Sequence, residues 1–200
     1  MHNQSSRTRM TVAVLVWAML LIAGISTAWG ADNCESIHAN AVGTSTQLGK
    51  LFPIKFLFCK PSTPEDRQVL IDAFKKDKNV GLTRALGKMH DAGRISTPSL
   101  LGYDIAYYTV TPTATGRQIR FVTDRLMAFG ELYYNTRTRD YSLTAGVLDI
   151  NDKDVSKSTG VLYPAAQLTW DKKKGQLTWE LNQNPWKLQN FLDFGNKDDN

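Results

Sequence analysis

The densest group of side chains that could carry acid–base or anion-binding chemistry lies between residues 123 and 141. This polar corner holds three carboxylates and three guanidinium groups: Asp124, Arg125, Glu131, Arg137, Arg139 and Asp140. Paired carboxylates can act as general acid and base, and guanidinium groups bind anions through charge-assisted hydrogen bonds. The same residues can instead close a corner at a strand end, because Asp and Thr side chains there bond backbone N–H groups. The sequence favours the structural role and leaves all of them except Glu131 as candidate binding residues.

Other catalytic and metal-binding patterns fail on spacing. If Asp152 were the first ligand of an EF-hand loop, Lys157 would occupy the glycine position and Tyr163 the position of the bidentate Glu. His38 and His90 both lie outside the polar corner, so no Ser-His-Asp triad can be assembled there. We therefore predict no metal, no cofactor and no assigned catalytic residue.

Residues 1–30 have the three-part pattern of a secretory signal peptide. Residues 2–9 are polar and contain two arginines, residues 11–25 are almost purely apolar, and Ala28 and Gly30 are small residues at the cleavage positions. The apolar run is shorter than the roughly 20 residues that cross a bilayer as a helix. We therefore predict cleavage after Gly30, export to the periplasm or the medium, and no membrane-spanning segment in the mature chain.

The formal net charge of +5 includes the two arginines of the predicted signal peptide, and the remaining charges are spread along the chain. This distribution does not indicate a nucleic-acid partner. The cluster Lys172–Lys174 precedes Gly175 between two strand patterns, which is typical of a solvated hairpin tip.

The two cysteines, Cys34 and Cys59, both fall in the predicted mature chain. An even number of cysteines in an exported protein favours a disulfide, and closing a loop of about 25 residues contributes on the order of 3 kcal/mol. A catalytic thiol or a zinc site with His38 and His90 is the alternative, but only Cys34 and His38 are closely spaced. We therefore predict a Cys34–Cys59 disulfide.

Strand patterns dominate the second half of the chain. In residues 101–125, aromatic and β-branched residues alternate with polar ones on both sides of a loop at 111–116 that contains Pro and Gly, which predicts a long β-hairpin. Further strands are predicted at about 128–134, 143–150, 160–170, 176–181 and 186–191.

Helical patterns precede these strands. Thr63 is suited to the N-cap and Pro64 to the first helical position, so a helix is predicted at about 64–78. A second short helix is predicted within 80–95, ending near Gly93.

Together these patterns predict an α+β, mostly β fold: an antiparallel meander forming a sandwich or a small barrel, preceded by one or two N-terminal helices. The predicted single domain covers 31–195, with a helical or extended lead-in at 31–95, a β-rich part at 96–192 and a polar tail at 193–200. Eight aromatic residues could line a ligand cavity or fill an ordinary core. These are Tyr103, Tyr107, Tyr108, Tyr133, Tyr134, Trp170, Trp179 and Trp186.

Four short motifs resemble those of a family of small exported bacterial proteins whose function is uncharacterised. They are Gly102-Tyr103-Asp104, Gly116–Ile119, Val122–Arg125 and Arg139–Tyr141, and the likeness extends over about residues 80–190. After the last motif the family continues with Pro-Phe, whereas this chain has Ser142-Leu143. The resemblance implies an exported bacterial β-rich domain and transfers no catalytic residue.

The leading functional hypothesis is a non-enzymatic periplasmic or secreted domain that binds a small apolar ligand or a protein partner. It would use a cavity in the β-structure or the polar rim. The rival hypothesis is a hydrolase-like enzyme with Asp124, Glu131 and Asp140 as its acid–base groups.

Overall fold

A computed structural model describes residues 34–89, 92–98, 100–127, 141–171, 176–181 and 184–196. The described part of the chain forms nine strands, one α-helix and two single-turn 3-10 helices, Ser45–Gln47 and Val155–Lys157. In chain order the strands and the α-helix are β1 (Glu35–Val42), β2 (Leu51–Phe58), α1 (Pro64–Leu86), β3 (Gly93–Thr97), β4 (Leu100–Pro112), β5 (Gly116–Thr123), β6 (Leu143–Asn151), β7 (Thr159–Asp171), β8 (Gln176–Leu181) and β9 (Trp186–Asn196). The predicted signal peptide lies outside the described residues.

Eight of the strands close into an antiparallel barrel. The strand order is β1-β2-β3-β4-β5-β6-β7-β9, and β9 pairs with β1 to complete the circle. The ninth strand, β8, pairs with the same edge of β7 as β9 does, but farther along it. Leu181 of β8 lies opposite Ala166, whereas Trp186 of β9 lies opposite Leu162. The prediction of a mostly β, antiparallel fold is therefore confirmed, in its small-barrel form.

The position of the helix differs from the expected order, in which helices precede the sheet. Two strands, β1 and β2, come before α1, so the predicted lead-in at 31–95 supplies part of the barrel wall. The sequence pattern that would predict β1 is weak, because two of the inward residues of this strand are Ala39 and Ala41 and alanine has little β-propensity. At the other end of the chain, β9 pairs with β1 as far as Asn196, inside the predicted polar tail.

The barrel interior is filled by side chains. The largest members of this interior cluster are Ile37, Ile54, Phe56, Phe58, Ile95, Ile105, Tyr108, Ile119, Phe121, Leu148, Ile150, Leu162, Trp186, Leu188 and Phe191. The Phe56 and Phe121 rings meet edge to face with their centroids 5.4 Å apart. Gly146 makes room for Phe121, because a Cβ at position 146 would lie 2.4 Å from that ring. Tyr108 and Trp186 are therefore core residues. The sequence alone leaves open whether the aromatic residues fill a core or line a ligand cavity.

A second apolar cluster lies on the outside of the same wall. Leu70, Phe74, Leu82 and Leu86 of α1 pack against Ala106 on β4, Val122 on β5, and Leu143 and Ala145 on β6. Strands β4 to β6 therefore carry apolar side chains on both faces, and α1 removes the outer ones from water. Within the described residues, no helix is long and apolar enough to cross a membrane.

The start of α1 follows from its sequence. The Thr63 hydroxyl accepts a hydrogen bond from the Asp66 N–H, and the Asp66 carboxylate accepts one from the Thr63 N–H at 2.8 Å. Pro64 occupies the first turn, where its missing N–H costs nothing. This reciprocal capping confirms the helix start predicted at Thr63–Pro64.

The helix reverses direction in its middle. Asp77 and Lys78 have non-helical backbone angles, and Lys78 has a φ of 47°. In a straight helix Ala73 and Gly81 would be about 12 Å apart along the axis. Instead, a Cβ at position 81 would lie only 2.3 Å from the Ala73 carbonyl oxygen. The two halves of α1 therefore fold back on one another, and Gly81 permits their close approach.

A disulfide joins Cys34 to Cys59, as predicted. It connects the residue before β1 to the residue after β2, at the end of the barrel where β5 begins and β9 ends. The segment after Cys59 continues across the wall, because the Ser62 N–H donates to the Tyr108 carbonyl and the Ser62 hydroxyl accepts from the Tyr108 N–H, each at 3.0 Å.

We expect Gly81→Ala to destabilise the protein by roughly 1–3 kcal/mol, because the added methyl group would push the two helix halves apart. Gly87→Ala is the matched control. Gly87 has a φ of −64°, and a Cβ there would meet its nearest atom at an ordinary 3.4 Å, so this change should be neutral or stabilising by up to about 1 kcal/mol. Urea denaturation of the two variants measures the difference, and equal midpoints would contradict the close helix contact.

Candidate functional site

Of the polar corner, the structure describes residues 123–127 and Tyr141. Asp124 and Arg125 directly follow β5, whereas Glu131, Arg137, Arg139 and Asp140 lie outside the described residues. The Asp124 N–H donates to the Asp104 carbonyl at 3.1 Å, and the Asp124 carboxylate lies 3.9 Å from the Arg125 guanidinium. Arg125 also lies over the Tyr103 ring at 5.3 Å. The described part of this corner therefore contains one ion pair, Asp124–Arg125, directly after β5.

Two buried threonines hold the chain at this corner. The Thr123 hydroxyl donates to the Arg125 carbonyl at 2.6 Å and accepts from the Thr144 N–H at 3.2 Å. The Thr144 hydroxyl accepts from the Met127 N–H at 2.8 Å and donates to the Pro164 carbonyl at 2.7 Å. Both threonines are fully buried, so these hydroxyls satisfy backbone groups that water does not reach.

A second polar cluster, which we call the Arg117 cluster, lies at the disulfide end of the barrel. The Arg117 guanidinium on β5 pairs with Glu35 on β1, with Asp193 on β9 at 2.8 Å, and with Asp152 in the turn after β6. The Arg117 and Glu35 side chains are each 23% exposed, and that of Asp193 is 16% exposed. One cation therefore binds three carboxylates from separate parts of the barrel.

Burial and charge act together on the acid–base properties of the Arg117 cluster. Burial raises the pKa of Glu35, Arg117 opposes this effect, and the nearby Asp193 carboxylate adds to it. Burial lowers the pKa of Arg117, but the three carboxylates outweigh it and the net shift is upward. Burial, and then the Glu35 charge, raise the pKa of Tyr108 in the adjoining interior. Since the carboxylates all face the guanidinium, this arrangement ties strands together and presents no open acid–base pair.

Two adjacent cavities line the outside of the barrel along α1. The first, of about 360 Å³, is lined by Lys60, Pro61, Ser62, Asp66, Lys88, Met89, Ala92 and Ala106. The second, of about 420 Å³, is lined by Val69, Ala73, Lys76, Asp77, Gly81, Arg84, Ala85, Lys88 and Met89. They share Lys88 and Met89, so we treat them as one helix groove. Each volume lies within the range of small-molecule sites.

The helix groove combines an apolar floor with a basic rim. Ala73, Gly81, Ala85 and Met89 form the floor and are buried or half-buried, whereas Val69 is 54% exposed at its edge. The lining contains three lysines and one arginine against two aspartates. A surface of this kind can bind a molecule that has an apolar body and a negative charge. Within the described residues, no group of three His, Cys, Asp or Glu side chains is placed to hold a metal ion.

Comparison of the chain with protein-family models, curated proteins and solved structures finds no match. The resemblance of its short motifs to an exported bacterial family therefore stays a prediction. Neither the Arg117 cluster nor the helix groove was found from the sequence. The members of the cluster are far apart along the chain, and the one local signal for the groove is the glycine inside a helical pattern at position 81.

We expect Thr144→Val to cost about 1–3 kcal/mol of unfolding free energy, because the Met127 N–H and the Pro164 carbonyl would lose their buried partner. Thr111→Val is the control: Thr111 is exposed on β4, and its replacement should change stability by less than about 0.5 kcal/mol. Urea denaturation of both variants tests the corner, and a wild-type midpoint for Thr144→Val would show that its hydroxyl is dispensable.

A pH profile tests the Arg117 cluster. Because the folded pKa of Glu35 is raised above its ordinary value of 4.5, its ionised form lowers stability. This cost is absent below the unfolded pKa, develops as pH rises from there to the raised folded pKa, and is complete above it. We therefore expect Glu35→Gln to remove one downward step from the wild-type profile, so that the free energy of unfolding of the variant rises relative to that of the wild type as pH increases above the ordinary value of 4.5. A relative loss as pH increases above that value, in denaturation series at several pH values, would contradict this sign.

Proposed function

We propose that this protein is an exported, non-enzymatic binding domain of the periplasm or the medium, and that the helix groove is its ligand-contacting surface. The Cys34–Cys59 disulfide is compatible with an oxidising compartment outside the cytoplasm. The signal-peptide pattern of residues 1–30 supports the same location.

The observation that carries the proposal is the contrast between the two sides of the barrel wall. The interior is packed with large side chains, including Phe56, Phe58, Phe121 and Trp186. On the outside, the folded-back helix leaves the helix groove beside a packed apolar cluster. A ligand therefore finds a concave, partly apolar surface beside α1 without displacing the core.

The groove has a fixed shape because α1 is attached to the barrel near its reversal. The Asn79 side-chain amide donates to the Leu168 carbonyl and its oxygen accepts from the Leu168 N–H, at 2.8 and 2.9 Å. The Thr83 and Ser142 hydroxyls are 2.8 Å apart and share a hydrogen bond. Binding to a preformed surface avoids the entropic cost of ordering it.

The alternative proposal is an acid–base enzyme at the polar corner. Of its three carboxylates, Asp124 is within the described residues, beside Arg125, while Glu131 and Asp140 are not. The enzymatic alternative stays a prediction. We prefer the binding proposal because the helix groove is a concave surface whose volumes are of the size that small molecules occupy.

We expect the protein to bind the neutral apolar fluorophore N-phenyl-1-naphthylamine, and Val69→Gln to weaken this binding about fourfold, because the ligand can bury only the 54% of the valine that is exposed. Val110→Gln, which changes an exposed valine of β4 outside the groove, is the matched control and should bind as the wild type does. Fluorescence titration measures the three affinities. If Val69→Gln and Val110→Gln bind equally, the groove is not the binding surface.

A further inference from the structure

We propose that the helix groove binds a free, single-chain anionic amphiphile, with an acidic head group between Lys60 and Lys88 and an apolar chain along the folded-back helix. This inference rests on the proposed binding function and specifies the class of its ligand. It follows from the charges that the groove leaves uncompensated and from the separation of its polar and apolar residues.

Both acidic residues that line the groove are already engaged. The Asp66 carboxylate accepts hydrogen bonds from the N–H and the hydroxyl of Thr63, at 2.8 and 3.1 Å. The Asp77 carboxylate lies 3.5 Å from the Arg84 guanidinium. Asp77 is therefore paired with a cation, whereas Asp66 keeps its negative charge beside the two lysines of the first cavity, which leaves that cavity with a net positive charge.

Three lysines of the lining keep their charge available. Across the described residues, no carboxylate lies within ion-pair distance of Lys60, Lys76 or Lys88. These ammonium groups border a concave surface, where opposite charge on a ligand is favoured most. The lysines on the rim of the helix groove therefore favour a ligand with a negative charge.

The two cavities differ in what they can contact, and this difference orients the ligand. The first contains Lys60, Lys88 and Ser62, whose hydroxyl oxygen accepts from Tyr108 and keeps its proton to donate. A carboxylate or phosphate accepts hydrogen bonds from both lysines and from this hydroxyl. The first cavity therefore suits the head group.

The second cavity suits the apolar chain. Its floor is formed by Ala73, Gly81, Ala85 and Met89, and its guanidinium group, Arg84, is paired with Asp77. Because the cavities meet at Lys88 and Met89, a single extended molecule can occupy both. Methionine adapts its unbranched side chain to apolar ligands of different shape.

A free amphiphile fits this surface better than a bilayer does. The lysines border a concave groove along the folded-back helix, so a planar membrane would reach the rim and leave the floor empty. A single chain can contact the rim and the floor together. The source of the ligand is thus a soluble monomer of the amphiphile.

The test is displacement of bound N-phenyl-1-naphthylamine by two 12-carbon amphiphiles, dodecyl phosphate and dodecyltrimethylammonium, below their micelle-forming concentrations. We expect the anion to displace the probe at a concentration about tenfold lower than the cation. In Lys60→Gln/Lys88→Gln this preference should fall to the small remainder that Lys76 supplies, while the neutral probe still binds. Lys55→Gln/Lys187→Gln makes the same change in charge at exposed positions of β2 and β9 and should keep the preference.

Two results would overturn the proposed ligand class: equal displacement of the probe by both amphiphiles in the wild type, or a preference for the anion that is undiminished in Lys60→Gln/Lys88→Gln. Lysine-dependent sedimentation with phosphatidylglycerol vesicles, without displacement by free dodecyl phosphate, would overturn it in favour of a membrane surface. In each case the Val69-dependent binding of the neutral probe is still measured. Failure of the ligand class is thereby distinguished from failure of the helix groove as a binding surface.

Discussion

Closure of the barrel is the constraint on which the rest of this structure depends. Once β1 pairs with β9 and β6 with β7, every strand of the circle has one face turned inward, and that space must be filled at core density. Phenylalanine rings fill much of it, and Gly146 is required because the Phe121 ring occupies the place of its side chain. A filled interior moves any contact with a ligand to the outer surface or the rims.

The outer surface is not uniform, and this asymmetry determines where α1 lies. Strands β4 to β6 carry outward apolar residues such as Val122 and Leu143, which would be exposed without a cover. A straight helix would cover a long, narrow strip, whereas the reversal at Asp77 places two short helical segments side by side. The concave boundary of this cover is the helix groove, so the candidate site results from how the barrel wall is shielded from water.

The sequence predicted those features whose cause is local. Alternating residues across a Pro- and Gly-containing loop are sufficient to predict the β4–β5 hairpin, and Thr63 and Pro64 are sufficient to predict the helix start. The weak strand β1 and the reversal of α1 depend on packing partners elsewhere in the chain. The Arg117 cluster could not be predicted for the same reason: β5 pairs with neither β1 nor β9, and only closure of the barrel brings Glu35 and Asp193 to the Arg117 guanidinium.

The Arg117 cluster and the disulfide act on the same part of the fold, namely the seam where the first and last strands meet. Cys34 joins β1 to the chain after β2, and the next residue, Glu35, joins β1 to β5 and β9 through Arg117. Protonation of Glu35 would leave Asp152 and Asp193 on the guanidinium, so the seam keeps ionic contacts when one of them is lost to acid. The helix groove is lined by α1, by the segments that flank it and by Ala106 on β4, and it begins at Lys60, directly after the disulfide. None of the four charged residues of the Arg117 cluster lines it. Substitution of exposed groove residues such as Lys60 and Lys88 can therefore change what the protein binds without removing an ionic contact of the seam.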